Sequence, residues 1–507
     1  MSKMTKTAKG LRTRLGFKVY ILIAILIYTV VFSIVEITLY RSFRIFTWDL
    51  GVFNQALWNT LHGRFLYYTA DIGIYTKTGS LLAAHFMPII LLALPPYAVC
   101  PTGETLLVIS TLVVAIGALP AYEIANFFLK NEKTAAMLGI FYLLYPPLQG
   151  VTLSGFSAES FAVTLFFFIV YYLIKPDLKK LALVVPLGLL THEASVPVIA
   201  FIALYGMLYH RSVKNKGFQA SLVILAICVP FFFFAQNMRI FFGWTGSPSL
   251  WHEWALMGAT STSDLPLKIF LNPVGAWNSL TFDGLAKLAY LVVLLLPVLF
   301  LPLLGLRGVI PATPFLFISL LSGYRLYYSL EGHYTAFVVP FIFLGLLHAL
   351  RRLQGKPRFR ISILKLTKLI LLACVISLIV LLPLIYSQYQ IFNVAGEHDN
   401  IIRSFILRIP QNASVLTQSN IFPHISDRPD AYTIAPPIWS PEYERIDKEI
   451  LQNLSKLNVK YVLLDFSSES SFVTTANLIY IDFIIPNWNE YGLVGAKDGV
   501  VLFCLKT

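Results

Sequence analysis

The stretch Leu82-Ala83-Ala84-His85-Phe86-Met87-Pro88-Ile89-Ile90-Leu91-Leu92-Ala93-Leu94-Pro95-Pro96-Tyr97-Ala98-Val99 decides how the chain is threaded. It is apolar, and close to the roughly 20 residues that a helix needs to cross a bilayer. Pro88 and Pro95-Pro96 make a straight span there unfavourable, because proline removes a ladder hydrogen bond and clashes with the preceding turn. The alternative is a re-entrant or interfacial segment that returns to the side it came from.

The rest of the chain makes that choice consequential. Of 507 residues, 57% are hydrophobic and 13% charged, and mean hydropathy is +0.71. A soluble domain carries about twice that charge fraction, so the chain is a polytopic membrane protein. Apolar runs cover 19–40, 82–99, 105–129, 134–152, 158–174, 181–193, 195–209, 218–238, 285–304, 308–323, 334–350 and 364–386. The first follows a basic leader, is too long for a signal-peptide core and lacks a small-residue cleavage site; it is expected to be an uncleaved anchor.

If all twelve runs cross, the basic links 130–133, 175–180, 210–217 and 351–368 cannot share a side with the basic amino terminus. With 82–99 re-entrant, eleven spans remain and the inner side gathers 22 of the 39 Lys and Arg residues. Eight then lie outside, and nine in the tail beyond Tyr386. Lys/Arg bias in short links sets orientation, which puts the amino terminus in the cytoplasm and the tail outside, in the cell membrane. The net charge of +13 then faces anionic headgroups. Membrane lipids are the expected partners and nucleic acid is not.

The expected organisation is a cytoplasmic leader 1–18, an all-α transmembrane domain 19–386 whose outer loop 41–104 carries the site, and an extracytoplasmic α/β domain 387–507. In that last domain, Glu442 to Leu457 has the pattern of an amphipathic helix. Val459 to Leu464 and Val500 to Phe503 read as strands, with Ala413 to Leu416 a possible third. Cys100 and Cys504 both face outward and are able to pair; Cys228 and Cys374 fall in spans as packing thiols.

With this threading, ionisable residues gather at the outer face. The first loop supplies Asp49, His62, Arg64, Asp71, Lys77 and His85, and later turns supply Glu159, His192-Glu193, Arg325, Glu331, His333 and Tyr334. Group transfer needs a base for the acceptor proton and positive charge for a departing phosphate. Asp49 and Glu159 suit the catalytic role. Arg64, His85, His192, Glu193, Arg325, His333 and Tyr334 suit donor binding, with Arg matching phosphate geometry. Carboxylates and imidazoles together also suit a divalent cation, although no ligand spacing marks one. Each has a plainer reading. Asp49 is placed to cap a helix over Leu50 to Leu61, Glu159 to start one, and His85 to be a hydrogen-bonded structural residue.

Trp48-Asp49-Leu50-Gly51-Val52-Phe53-Asn54-Gln55-Ala56-Leu57-Trp58-Asn59 and His62-Gly63-Arg64 resemble the opening of the multispanning family known as domain of unknown function twenty seventy-nine. His85-Phe86-Met87-Pro88, Tyr145-Pro146-Pro147-Leu148-Gln149-Gly150, Ala158-Glu159-Ser160-Phe161 and Gly332-His333-Tyr334-Thr335-Ala336 continue the match. That family is similar in layout to the GT-C glycosyltransferases, including protein mannosyltransferases and aminoarabinose transferases. The resemblance implies transfer of a sugar from a polyprenyl-phosphate donor at the outer face. Asp49, His85 to Pro88, and Glu159 stand where those enzymes carry a first-loop acid, a His-Pro-like element and a second acid. Two departures stand out. Many of those enzymes have two adjacent acids where this chain has Asp49-Leu50, and a Lys often occurs where this chain has Thr191-His192-Glu193. The competing readings are a transporter or flippase of lipid-linked or small polar solutes, and a non-catalytic assembly protein that keeps the fold.

Overall fold

Nothing in the first apolar run interrupts a helical ladder, and it forms one helix, α1 (Lys18–Arg41). Tyr20, Leu22, Leu26, Ile27 and Ile34 on its outer flank stay exposed, while Ile21, Ile25, Tyr28, Ser33, Glu36 and Leu39 are buried. In a bilayer, that exposed face meets lipid. The chain is described here from a computed structural model over residues 16–506, without 71, 73–74, 247–253, 260–263, 355–361, 390–394, 436–440 and 469.

After α1 a π turn (Thr47–Gly51) runs into α2 (Val52–Leu61). Asp49 lies inside that turn, and Phe46 precedes it without a side-chain cap. The expected capping role for Asp49 is therefore corrected: the turn starts two residues before it. The decisive stretch does not form a straight helix. It breaks into Leu81–Ala84, a 3-10 turn Pro88–Ala93 and Leu94–Val99, with Pro88 opening the second piece and Pro95-Pro96 in the first turn of the third.

The following helices are α3 (Gly103–Leu129), α4 (Glu132–Leu144), α5 (Pro146–Leu153), α6 (Glu159–Ile174), α7 (Leu178–Leu189), α8 (Ser195–His210) and α9 (Lys216–Phe241). After them come α10 (Val339–Gln354) and α11 (Ile363–Tyr389). Pro146-Pro147 bends α4 against α5 by 47°, since a residue before proline leaves the helical region. Among the described residues four helices are long and apolar enough to cross a membrane, or six if two bent pairs each count as one span. Prolines split several expected runs: 285–304 and 308–323 are helices interrupted by 3-10 turns. The run 181–193 ends as helix at Leu189, which leaves His192 and Glu193 in a turn.

The tail holds α12 (Glu397–Ile406), β1 (Val415–Thr417), β2 (Ala431–Tyr432), α13 (Pro441–Lys456), β3 (Tyr461–Asp465), α14 (Ser470–Ile479), β4 (Tyr491–Lys497) and β5 (Val500–Leu505). One sheet runs in the order β2-β1-β3-β5-β4, with β1 parallel to β2 and β3, and β5 antiparallel to β3 and β4. Cys100 and Cys504 are both free.

The tail shares a core with the first loop. Leu50, Phe53, Leu57 and Tyr68 pack in one apolar cluster with Ile402, Phe405, Val415, Ile421 and Phe422. Polar contacts fix the register. Thr47 N–H donates to Ser419 Oγ (3.3 Å), Asn54 Nδ2 to Ser426 Oγ (2.8 Å) and Gln55 Nε2 to Ala431 O (3.3 Å). The 415–432 segment thus forms a wall behind the π turn that carries Asp49.

Candidate functional site

The site is organised around Glu193, in the turn between α7 and α8. Its carboxylate accepts hydrogen bonds from two consecutive residues of the broken 81–99 segment: His85 Nδ1 on Oε1 (2.9 Å) and Phe86 N–H on Oε2 (2.9 Å). Arg239, near the end of α9, reaches the same Oε1 at 3.2 Å. Its remaining nitrogens hold Ala83 O (3.2 Å) and Ala84 O (2.9 Å). One guanidinium therefore ties three chain segments together. Burial pushes the Glu193 pKa up, but His192, Arg239 and His85 outweigh it and hold the carboxyl well below the usual carboxylate range.

His192 bridges to a second carboxylate. Its Nδ1 accepts from Ala194 N–H (2.9 Å), which leaves Nε2 facing Glu159 Oε1 at 3.6 Å. Burial lowers the pKa of His192, against the opposing pull of the Glu193 and Glu159 carboxylates. Glu159 is the first residue of α6, and His333 Nε2 lies 3.7 Å from the same Oε1. His333 reaches that point because the 323–338 turns close on α5: Thr335 Oγ1 donates to Pro147 O (2.8 Å), and Gly150 leaves no room for a side chain beneath Leu330 O.

Asp49 approaches from the other side. Gly155 adopts φ +80°, and Phe156 N–H donates to Asp49 O (2.9 Å). A Cβ on Gly155 would lie 2.6 Å from Asp49 O, so only glycine permits this approach. Among the described residues no hydrogen bond or ion pair reaches the Asp49 carboxylate, and burial pushes its pKa up to about 7.

Of the residues singled out from sequence, His85, Glu159, His192, Glu193 and His333 meet in one cluster, with Asp49 joined through the Gly155-Phe156 turn. Tyr334 sits against His333, ring centroids 4.4 Å apart, and against Tyr327 at 4.5 Å. Arg64 is elsewhere: it pairs with Asp430 of the tail (3.5 Å) and lies over Tyr67. Arg325 is exposed on the 3-10 turn 325–328. His62 stacks on Trp58, and Lys77 N–H donates to Gly243 O. Asp71 lies outside the described residues. One member escaped the sequence reading, Arg239, although it had a signal, a charged side chain at the end of an apolar run.

His85, His192 and Glu193 bring one donor atom each within 4.8 Å of one another. Arg239 already occupies Glu193 Oε1 and the Ala194 N–H occupies His192 Nδ1. As folded, the three do not fit a cation: the carboxylate is neutralised from within, and ligating donors would have to give up these partners.

The geometry and the apolar helices define a membrane protein with a polar cluster at one edge of its helices. The chain belongs to the family described as predicted membrane protein (DUF2079), whose model matches residues 39–502. No curated protein matches it. Among solved structures it is similar to ArnT from Cupriavidus metallidurans bound to undecaprenyl phosphate, at 12% identity and TM-score 0.49 over 94% of this chain and 97% of that one. It is also similar to the apo form of that protein, at 11% identity and TM-score 0.47 with the same coverage.

Proposed function

We propose that this chain is an integral-membrane glycosyltransferase that moves a sugar from a polyprenyl-phosphate donor to an acceptor at the outer membrane face. The single observation behind this reading is the meeting of the His85–Glu193–Arg239 knot with the His192–Glu159–His333 line. Two carboxylates, three imidazoles and a guanidinium from five chain segments converge there. Asp49 is assigned as the base that takes the acceptor proton, with Glu159 as the second catalytic carboxylate. His85, whose Nδ1 is spent on Glu193, offers Nε2 to the donor phosphate, and His333 with Tyr334 flanks the sugar.

The reading includes eleven spans with 82–99 re-entrant, a cytoplasmic amino terminus and an external tail. An impermeant label at Lys356, substituted by cysteine, is expected to react only in opened or inverted vesicles. Labelling in sealed, right-side-out cells overturns that arrangement.

The transfer itself is tested with the full chain in its native membrane vesicles, which supply the acceptor, and a panel of polyprenyl-phosphate sugars carrying a labelled hexose. Release of unglycosylated prenyl phosphate is expected, and its loss in Asp49→Asn and Glu159→Gln at unchanged protein level. Equal turnover by both variants removes the catalytic assignment. A transport reading gains support from Glu36 alone. That residue lies five positions from the outer end of α1, roughly 7.5 Å along the helix, rather than at the midplane where a carrier binds its ion.

A further inference from the structure

Helix α6 starts at Glu159, in the polar cluster, and ends at Ile174, roughly 24 Å away along its axis. At that far end lies a second polar feature. A cavity of about 370 Å³ is lined there by Glu123, Phe127 and Lys130 from the end of α3, Glu132 from the start of α4, and Tyr171 and Lys175 from the end of α6. Its volume falls in the range of small-molecule sites, about 300–1,000 Å³.

The charges around this cavity divide into spent and unspent ones. Glu123 is spent: Lys18 of α1 pairs with it, and Tyr171 Oη donates to its Oε2 (3.4 Å). Lys130, Glu132 and Lys175 are exposed, and among the described residues their side chains make no ion pair or hydrogen bond. The two ammoniums rest over aromatic rings instead, Lys130 at 4.6 Å from the centre of Phe127 and Lys175 at 6.0 Å from that of Tyr171. A ring face holds a cation weakly and leaves its N–H groups open to an anion. Two cations and one carboxylate thus await a ligand.

Lys18 also joins the cavity to the outer flank of α1. Leu22 and Leu26, one and two turns further on the same face, are exposed. A molecule whose polar end fills the cavity therefore has apolar surface along which to lay hydrocarbon. Basic pockets between spanning helices take lipid headgroups, but this one is of mixed sign. Glu132 repels a headgroup of net negative charge and suits one that carries its own ammonium.

We propose that this cavity holds the headgroup of a zwitterionic aminophospholipid, its phosphate between Lys130 and Lys175, its primary ammonium on Glu132 and its acyl chains along Leu22 and Leu26. The site stands at the membrane face opposite the His85–Glu193–Arg239 knot and does not depend on the transferase reading. A primary ammonium donates hydrogen bonds to a carboxylate, and a trimethylammonium has none to donate. The rings that could hold a trimethylammonium already carry Lys130 and Lys175, so ethanolamine headgroups are preferred to choline ones.

Native mass spectrometry of the full chain, released from nanodiscs of equal parts phosphatidylethanolamine, phosphatidylglycerol and phosphatidylcholine, tests this. One ethanolamine lipid is expected to stay bound. The double variant Lys130→Ala/Lys175→Ala should lose it about tenfold or more, the factor that a hydrogen bond to a charged group supplies. Glu132→Gln should still retain a lipid but no longer favour ethanolamine over choline. All three side chains are exposed, so their replacement leaves the core intact. Lys179→Ala, an exposed lysine that does not line the cavity, should change nothing, and an equal loss there would assign the effect to overall surface charge and overturn the site. Equal retention of the three lipids, stronger retention of phosphatidylglycerol, or full retention by the double variant also overturns it. Excess soluble phosphoethanolamine should leave the lipid in place; complete displacement would assign the cavity to a soluble amine phosphate and overturn the lipid.

Discussion

Glu193 and Arg239 meet at 3.2 Å with both side chains about nine-tenths buried. The pair holds the shape of the site, because the guanidinium also carries the Ala83 and Ala84 carbonyls while the carboxylate carries His85 and Phe86. Removing one member of a buried pair leaves the other uncompensated, at a cost of about 3–5 kcal/mol. Glu193→Gln is therefore expected to lower stability by that order. Arg239→Leu is expected to be similarly harmful, and the double variant less harmful than the two losses added together. Denaturation of the four proteins in one detergent checks this. Additive losses would show that the two residues act separately.

Asp49 gives a pH prediction with a definite sign. Its folded pKa of about 7 lies above the ordinary value near ~3.9 for an unfolded aspartate. Between these values the folded protein binds more protons than the unfolded one. Stability from this group therefore falls as pH rises from about 4 to about 7 and is level beyond. Asp49→Asn should remove that fall and be the more stable protein at pH 8, while transfer by the native chain should rise as pH passes through about 7. Parallel stability curves for the two proteins between pH 4 and 8 contradict the assignment.

The sequence showed a good part of this arrangement and hid the rest for physical reasons. Prolines at 88, 95 and 96 break a helix wherever they stand, so the irregular 81–99 segment was legible. Glu159 and His192-Glu193 were legible because ionisable residues at the ends of apolar runs are rare enough to notice. Arg64 looked equivalent to them but is spent on Asp430, a partner 366 positions away that no local pattern reveals. The helix ending at Leu189 and the strands 431–432 and 491–497 depend on tertiary pairing, and their short patterns carry little signal. Arg239 was visible as a charge beside an apolar run, yet its role follows only from what packs against it.

Gly155 tests the joint between Asp49 and the rest of the cluster. Its φ of +80° is uncomfortable for any side chain, and a Cβ would press on Asp49 O at 2.6 Å. Backbone rather than a flexible side chain stands in the way. Gly155→Ala is expected to cost roughly 1–3 kcal/mol and, by moving the π turn, to shift the pH midpoint of the infrared carbonyl band that Asp49→Asn removes. Gly63 also has a positive φ, +87°, but open space around its Cβ position. Gly63→Ala should thus show the backbone cost without the Asp49 shift. If both variants leave that band unmoved, the glycine turn does not set the position of Asp49.

The tail carries its own pH-sensitive fastening at His398, the second residue of α12. Nδ1 meets Asp498 Oδ2 at 2.8 Å and Nε2 meets Asp465 Oδ2 at 3.0 Å, with Asp465 buried at the end of β3. Burial pushes this imidazole down, but the hydrogen bonds and charges of the two aspartates prevail and its pKa is raised. A raised folded value means the stabilisation is complete below the ordinary imidazole pKa and is lost as pH climbs through the folded one. Because α12 packs Ile402 and Phe405 into the core shared with the first loop, loosening should travel toward the π turn. Hydrogen exchange, corrected for intrinsic rates, is expected to show α12 opening more readily as pH rises. His398→Ala should be open at every pH and lose the dependence. A native α12 whose protection is flat across the imidazole range, or an alanine variant that keeps the pH response, would show that the aspartates hold this helix by some means other than the histidine proton.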